Sequence, residues 1–421
     1  MKNEIVERLN TALSQNHAKR ILSFLILFGV GVRLLFLLSI GNELRWYDEN
    51  NYHSIAISIK QGNGFISTYN PYSTTHWAPL QGYVIAGIYS IAGNSPAAVR
   101  IFQDILSGGL LLLIYLLGRR FFSHRTGVLA AGIFAVHPIF IYVSNTLYPT
   151  LLFTILSVLS FWFLQKSVSE GTLVNTIIGG LLLGAAMLAK PVAIFYIPAI
   201  LFGFWARWRM GRKFWLHGVF TTVFAMVAIS PWIGYNYQKY GEFFFITQEG
   251  PHSFVAANNP EFELKDRGKI RVPEKIQDKV KTLDEEVRNK VYFQEALNYI
   301  KGRPVHFIKN YMLRFLTFWR LSPSTISKNV DTNTRNRIIS FVFYSLLLPW
   351  SFLGMLFERK RWRDLSLLYG FIFFFAAGYA FFIPSIRYRL PIEPYLIIFA
   401  AVGFWCFWNR FIAKNSLSKP A

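Results

Sequence analysis

The sequence predicts an all-α polytopic membrane protein: about ten transmembrane helices, interfacial helices in a first outer loop, and a small helical domain on the outer face. Three observations carry this. Charged residues make up 16% of the 421-residue chain while hydrophobic residues reach 53%, against about 25% charged in soluble domains. Its 41 Phe, 21 Tyr and 12 Trp are more than a solvated surface can hide. The 44 basic residues, set against 22 acidic ones for a net charge of +22, fall in short clusters between apolar stretches. Such clusters are what the positive-inside rule produces in short cytoplasmic loops, so the excess points to membrane orientation and away from nucleic acid. Composition excludes disordered, collagen-like and disulfide-stapled chains, and the lone Cys406 permits neither an intramolecular disulfide nor a Cys-based metal site.

A spanning helix needs about 20 mostly apolar residues, because hydrocarbon offers its backbone no other partner. Ile21 to Ile40 meets this with one interruption, Arg33, and is longer than a secretory apolar core, so it reads as an uncleaved first helix. Further segments follow near 98 to 118, 127 to 143, 150 to 165, 173 to 189, 191 to 206, 214 to 234, 338 to 357, 365 to 384 and 391 to 408. With the basic N-terminus inside, alternate crossings place four clusters on the cytoplasmic side: Arg119, Arg120 and Arg125; Arg207, Arg209, Arg212 and Lys213; Arg359, Lys360, Arg361 and Arg363; and Arg410, Lys414 and Lys419. The opposite short connections hold few: Arg45 and Lys60, then Lys190, then Arg387 and Arg389. Pro79 to Ala92 is apolar too, but as an eleventh crossing it would invert every later loop, so it reads as a helix in the outer interface.

The chain therefore divides into a transmembrane core, 1–234, that includes the first outer loop, 41–97; a mostly helical outer segment, 235–337; and C-terminal transmembrane helices, 338–421. In the outer segment Val287, Val291, Ala296 and Ile300 repeat at helical spacing. Pro304 interrupts that helix, and Val305 to Trp319 resumes as an amphipathic helix suited to rest on the membrane.

Motif searches prune function classes. No nucleotide-binding glycine loop, His-Glu-x-x-His or Gly-x-Ser-x-Gly occurs, so nucleotide-driven transport has no support. The first outer loop begins Arg45-Trp46-Tyr47-Asp48-Glu49, and Tyr52, Ile55, Ala56 and Ile59 continue as one helix face ending at Gly62. Asp48 is then either a helix N-cap or a carboxylate held at the membrane surface as a general base. Arg387 and Arg389, pinned between Pro384 and Pro391, sit on the outer side against the charge bias. They either snorkel to headgroups or bind an anion, and Lys190-Pro191 poses the same choice. His76 reads as a structural or acceptor-contact residue, His137 as a buried polar residue bonded to a neighbouring helix, and Arg33 as one half of a structural ion pair. Histidine spacing gives no metal site, so dependence on a divalent cation stays open.

At this point the chain resembles a family: the GT-C glycosyltransferases that use a polyisoprenyl-phosphate sugar, including protein O-mannosyltransferases and the lipid A aminoarabinose transferase. The resemblance rests on Asp48-Glu49 with Tyr52, Ala56 and Gly62-Asn63-Gly64-Phe65; Leu117-Gly118-Arg119-Arg120; Leu188-Ala189-Lys190-Pro191; Pro231-Trp232 with Asn236-Tyr237 and Gly241; Gly250 with Asn258-Asn259-Pro260; and Arg387-Tyr388-Arg389 with Pro391 and Pro394. These occur in the family's order. The resemblance implies an inverting transfer at the extracytoplasmic face of a bacterial or archaeal plasma membrane, from a polyisoprenyl-phosphate sugar to a lipid, glycan or protein acceptor. It implies Asp48, in the pair with Glu49, as the base for the acceptor hydroxyl. Lys190, Arg387 and Arg389 become candidates for the donor phosphate, and Tyr52, His76, Asn258 and Asn259 candidates for the pocket and acceptor. Two departures stand out: Thr150 occupies a place where relatives often carry Glu, and Trp77-Ala78-Pro79 lacks the acid and base that aminoarabinose transferases show before that proline.

Rival classes are a transporter or lipid scramblase, and a non-catalytic member of an envelope-assembly complex. A transporter calls for broken helices and intramembrane acids, whereas Asp48, Glu49, Lys190, Arg387 and Arg389 all fall at outer helix ends.

Overall fold

The computed structural model describes residues 15–262, 272–322 and 334–412, which are helices and connections with no strand among the described residues. Gln15–Leu38 (α1) leads to the outer-loop helices Tyr47–Lys60 (α2) and Pro79–Ala92 (α3), then Pro96–Phe121 (α4), His124–Ala135 (α5), Pro138–Ser144 (α6), Thr150–Glu170 (α7), Leu173–Ala189 (α8), Tyr196–Trp208 (α9) and Arg212–Tyr240 (α10). Four helices follow on the polar segment: Glu249–Ala257 (α11), Glu274–Val280 (α12), Glu285–Gly302 (α13) and Pro304–Phe318 (α14). Thr334–Phe357 (α15), Ser366–Tyr379 (α16) and Glu393–Phe407 (α17) complete the bundle.

Each of the ten apolar segments is helical, but the count of ten crossings is not what length supports. Among the described residues seven helices are long and apolar enough to span, and the bent pair α5 and α6 makes up to eight. α8 has 17 residues and α16 has 14, short of a full crossing. The third expected crossing, drawn as one helix from 127 to 143, breaks at His137 with a 61° bend. The cause is local: Pro138 has no N–H to donate and pushes the preceding residue to extended backbone, so His137 leaves the helix and its ring Nδ1 caps α6 by accepting from the Phe140 N–H at 3.3 Å.

Helix ends follow their sequences. Ser95 and Ser123 cap α4 and α5 by accepting from the N–H of Ala98 and Thr126. Small residues set the closest helix pairs: a side chain at Gly354 of α15 would collide with the Phe399 backbone of α17, and one at Gly403 with Trp350. Lipid tails give helices no hydrophobic reason to associate, so close backbone approach and dispersion do that work. At one end of the bundle Arg361 donates to the Phe121 carbonyl at 3.2 Å, joining two of the basic clusters. Lys414, Lys419 and the basic N-terminus lie outside the described residues.

Several buried charged groups find partners across the bundle. Arg33 does not form the expected ion pair: it donates to the carbonyls of Gly29, Ala135 and Phe134 at 2.8, 3.1 and 3.3 Å, bracing α1 against the end of α5. The nearby acid Asp104 on α4 accepts instead from Asn145 at 3.2 Å. Asp104 is an intramembrane carboxylate absent from the sequence reading. His137 is buried as expected, with Nε2 2.6 Å from Glu393 of α17. On the outer side, α2 and α3 share a core of Tyr52, Ala56, Ile85, Ala86 and Tyr89. α14 turns Asn310, Arg314 and Phe318 inward while Val305, Ile308 and Leu316 face out, so its polar stripe meets protein and its apolar stripe does not.

Candidate active site

At the end of the bundle opposite the joined basic clusters lies a cavity of about 460 Å³. The start of α2, the start of α7, the junction after α8, the start of α11 and the segment between α16 and α17 all reach it, bringing Asp48, Tyr148, Thr150, Lys190, Glu249 and Arg387 into its lining. The apolar part of the lining includes Pro191, Val192, Ile194, Phe195, Phe382 and Ile383.

Asp48 occupies the second position of α2. The cap is Trp46, in extended conformation and with no side-chain cap bond, so Asp48 is not a capping residue. It stays near the positive end of the helix dipole, where an ionised carboxylate is favoured. Glu49 is placed differently from the expectation of a catalytic pair, for it is buried away from the cavity. One of its carboxylate oxygens accepts from Arg100 at 3.0 Å and from the Leu147 N–H at 3.1 Å; the other accepts from the Arg45 N–H at 3.0 Å. Glu49 thereby clamps the start of α2 to α4 and to the loop that carries Tyr148 and Thr150. Removing either partner from such a buried pair leaves an uncompensated charge.

Across the cavity Arg387 Nη1 lies 3.9 Å from Asp48 Oδ2. Its guanidinium stacks on Tyr148 and Tyr388 at 5.6 and 5.2 Å. Lys190, at the junction after α8, donates to Thr150 Oγ1 at 3.1 Å and lies 5.9 Å from the centre of the Tyr388 ring. Burial, then repulsion from Arg387, pushes the Lys190 ammonium down to about 7, with Asp48 opposing the shift. Thr150 therefore stands as a neutral partner in the place where a carboxylate was expected from relatives.

Arg389 does not converge on this cavity. It is fully buried, donating to Glu393 at 3.1 Å and to the carbonyls of Phe318 and Arg320 at 3.1 and 3.0 Å, with its guanidinium 4.0 Å from the Tyr344 ring centre. In the 3₁₀ turn over Ile386–Tyr388 successive side chains are turned by about 120°, so the two arginines leave it on different sides, Arg387 into the cavity lining and Arg389 into the bundle. Asn258 and Asn259 are likewise outside the cavity lining. Asn258 bonds the Phe254 and Phe381 carbonyls and accepts from Arg314, and Asn259 bonds Val255 and Ala256, so both finish α11 and Asn258 also ties it to α14 and to the segment after α16.

Tyr52 and His76 do line the cavity. His76 reaches Glu249 at 3.4 Å and Glu285 at 3.1 Å, and Thr75 donates to Glu285 at 2.9 Å, so the first outer loop is tied to both α11 and α13. Burial works to raise the Glu249 carboxyl, but bonds from His252, His76 and Ser253 outweigh it and hold it below the usual range. Glu285 is held low in the same way by His76 and Thr75. Glu249 and Tyr148 are site residues the sequence reading missed; the signal available was Glu249 immediately before the quoted Gly250. Among the described residues no group of three His, Cys, Asp or Glu is placed to hold a metal ion.

Residues 76–235 match the family model described as dolichyl-phosphate-mannose-protein mannosyltransferase. The comparison with curated protein sequences gives no match. Among solved structures, the chain is similar to the Archaeoglobus fulgidus oligosaccharyltransferase in the apo form, at 16% identity and a TM-score of 0.61 over 97% of this chain and 52% of that one. It matches the same archaeal enzyme, AglB, in complex with an inhibitory peptide and a dolichol-phosphate, at 16% identity and TM-score 0.61 over 96% and 52%. A weaker likeness is to ArnT from Cupriavidus metallidurans bound to undecaprenyl phosphate, at 14% identity and TM-score 0.46 over 94% and 81%. The chain thus spans about half the length of the archaeal protein it overlays. The fold is thus the one it shares with the archaeal protein, and the family match over residues 76–235 supports the resemblance to the GT-C class on that stretch. Within that class the matching family model is the mannosyltransferase one, over the stretch that runs from His76 through the first half of the bundle.

Proposed function

We propose that this protein is a membrane glycosyltransferase that moves a sugar from a polyisoprenyl-phosphate donor to an acceptor hydroxyl at the extracytoplasmic face, with inversion. The observation that carries the reading is the facing of Asp48 and Arg387, 3.9 Å apart, in a cavity that also receives Lys190. The acceptor O–H gives its proton to the Asp48 carboxylate as the oxygen bonds to the anomeric carbon. The bond from that carbon to the donor phosphate oxygen breaks, and its electron pair leaves on the phosphate. Arg387 and Lys190 are the cations suited to stabilise that developing anion by charge-assisted bonds. The apolar lining of Ile194, Phe195 and Phe382 suits the first isoprene units of a tail that stays in lipid. Glu49 and Arg389 act as positioning residues, holding α2 and the Arg387 turn in place.

The test incubates the full chain in lipid nanodiscs with a panel of polyisoprenyl-phosphate sugars and a cell-envelope acceptor extract. Acceptor-dependent release of free lipid phosphate that disappears in Asp48→Asn supports the reading. Transport of intact donor across the bilayer without such release would replace it with the transporter class.

A further inference from the structure

Beside the active-site cavity, and sharing His76 as a common wall, lies a second hollow of about 330 Å³ between the start of α2 and the middle of α13. Its lining combines two aromatic rings, Tyr47 and Tyr292, with the polar side chains of Asn70, His252, Arg288 and Asn289. Tyr47 is half exposed and accepts a hydrogen bond from Asn70. The Asn289 side chain, which lines the hollow, has no hydrogen-bond partner among the described residues. Arg288 has only a long contact to Glu285, 3.9 Å. His252 engages Glu249 through Nδ1 at 3.4 Å and packs edge-on to Tyr292 at 5.7 Å, which leaves its Nε2 for another partner.

From this hollow a line of rings leads inward: Tyr69 to Tyr47 at 5.6 Å, Tyr47 to Trp77 at 6.2 Å, and Trp77 to Tyr52 at 5.3 Å. Trp77 and Tyr52 already line the active-site cavity, and Tyr47 precedes Asp48 in the chain. Ring faces that give large rigid contact area at low entropy cost, alternating with an amide, a guanidinium and an imidazole holding spare hydrogen-bonding capacity, suit one ligand chemistry: an uncharged ring with apolar C–H faces and a rim of hydroxyls. An extended peptide would instead look for unpaired backbone along a sheet edge or a groove of apolar pockets, and neither lines this hollow.

We infer that the hollow between Tyr47 and Tyr292 is the acceptor subsite, and that the acceptor is a neutral saccharide whose terminal ring lies on the Tyr47 face and presents a hydroxyl to Asp48. This rests on the glycosyltransferase reading and names its acceptor class. The saccharide is held from outside by Asn289 and Arg288, while His76, spent on two carboxylates, acts as the fixed partition between acceptor and donor. The subsite draws on residues from both outer segments, so it exists only when α13 is docked on the first outer loop.

The experiment measures saturation-transfer NMR on the full chain in nanodiscs with maltotriose, chitotriose and β-1,4-galactobiose, with a Ser/Thr-rich peptide as the competing class. Binding of undecaprenyl phosphate is followed in parallel by native mass spectrometry. The expected result is saccharide binding weakened at least fivefold in Asn289→Ala and in Tyr47→Ala, with undecaprenyl-phosphate binding unchanged in both. Undecaprenyl-phosphate binding with no saccharide signal, peptide binding that is lost in Asn289→Ala, or saccharide binding indifferent to both substitutions would each overturn the inference. Failure of the unaltered chain to bind undecaprenyl phosphate while saccharides bind would instead remove the donor reading on which the inference rests.

Discussion

Arg387 Nη1 stands 3.9 Å from Asp48 Oδ2, joining the first outer loop to the last one across the mouth of a cavity. The two residues belong to different helix ends, and neither is otherwise committed to an ion pair among the described residues. That separates them from Glu49 and Arg389, their chain neighbours, which are both consumed by buried pairs.

Asp48→Asn keeps the shape of the α2 start but removes the proton acceptor. Transfer should fall by about 10²- to 10⁴-fold, with undecaprenyl-phosphate binding retained in a native mass-spectrometric assay. Turnover within a few-fold of the unaltered chain would leave Asp48 a surface carboxylate with no role in proton transfer.

The two arginines of the last outer loop should behave oppositely. Arg387→Ala is expected to weaken donor binding and slow transfer together while leaving thermal unfolding nearly unchanged, and Arg387→Lys to rescue only part, since a point charge cannot reproduce the planar fork. Arg389→Ala removes the arginine partner of Glu393, leaving it His137 and Tyr344, and breaking a buried pair costs about 3–5 kcal/mol, so its midpoint should drop by several degrees. Equal effects of both on stability would contradict their different burial.

Lys190 gives a pH signature. A lysine binds an anion only while protonated, and its ammonium is held at about 7. Affinity for undecaprenyl phosphate should therefore be fullest below pH 7 and decline above it toward the level Arg387 sustains alone. Lys190→Ala should flatten that limb. Thr150→Glu places a carboxylate beside the ammonium, which raises such a pKa by about 1–3 units, and should carry the limb to higher pH. A profile with no limb between pH 6 and 9 in the unaltered chain would show that Lys190 does not contact the phosphate.

Glu49→Gln tests positioning as distinct from chemistry. It leaves Arg100 buried without its countercharge and loosens the anchor between α2 and Leu147. The expected outcome is a lower unfolding midpoint and slower transfer, with the pH profile of the remaining activity unchanged. A shifted profile would return Glu49 to the proton path.

The sequence by itself determined the helical membrane class, the positions of the apolar segments and the ends at which Asp48, Lys190 and Arg387 would appear. Those follow from local rules: bilayer length, charge bias of short loops, and proline and glycine at helix ends. The bend at His137 was also written locally, in the proline that follows it, although the apolar run masked it. What tertiary structure alone decided was which of two adjacent charged residues faces the cavity. Asp48 and Glu49, like Arg387 and Arg389, are alike in type and separated by one or two positions, and spacing cannot tell them apart. The choice came from partners far along the chain: Arg100 and Leu147 captured Glu49, and Glu393 with the carbonyls of Phe318 and Arg320 captured Arg389. A charge buried in a membrane bundle must be matched where it sits, so the matched residues became structure and the two left at the cavity are the ones the proposed mechanism uses.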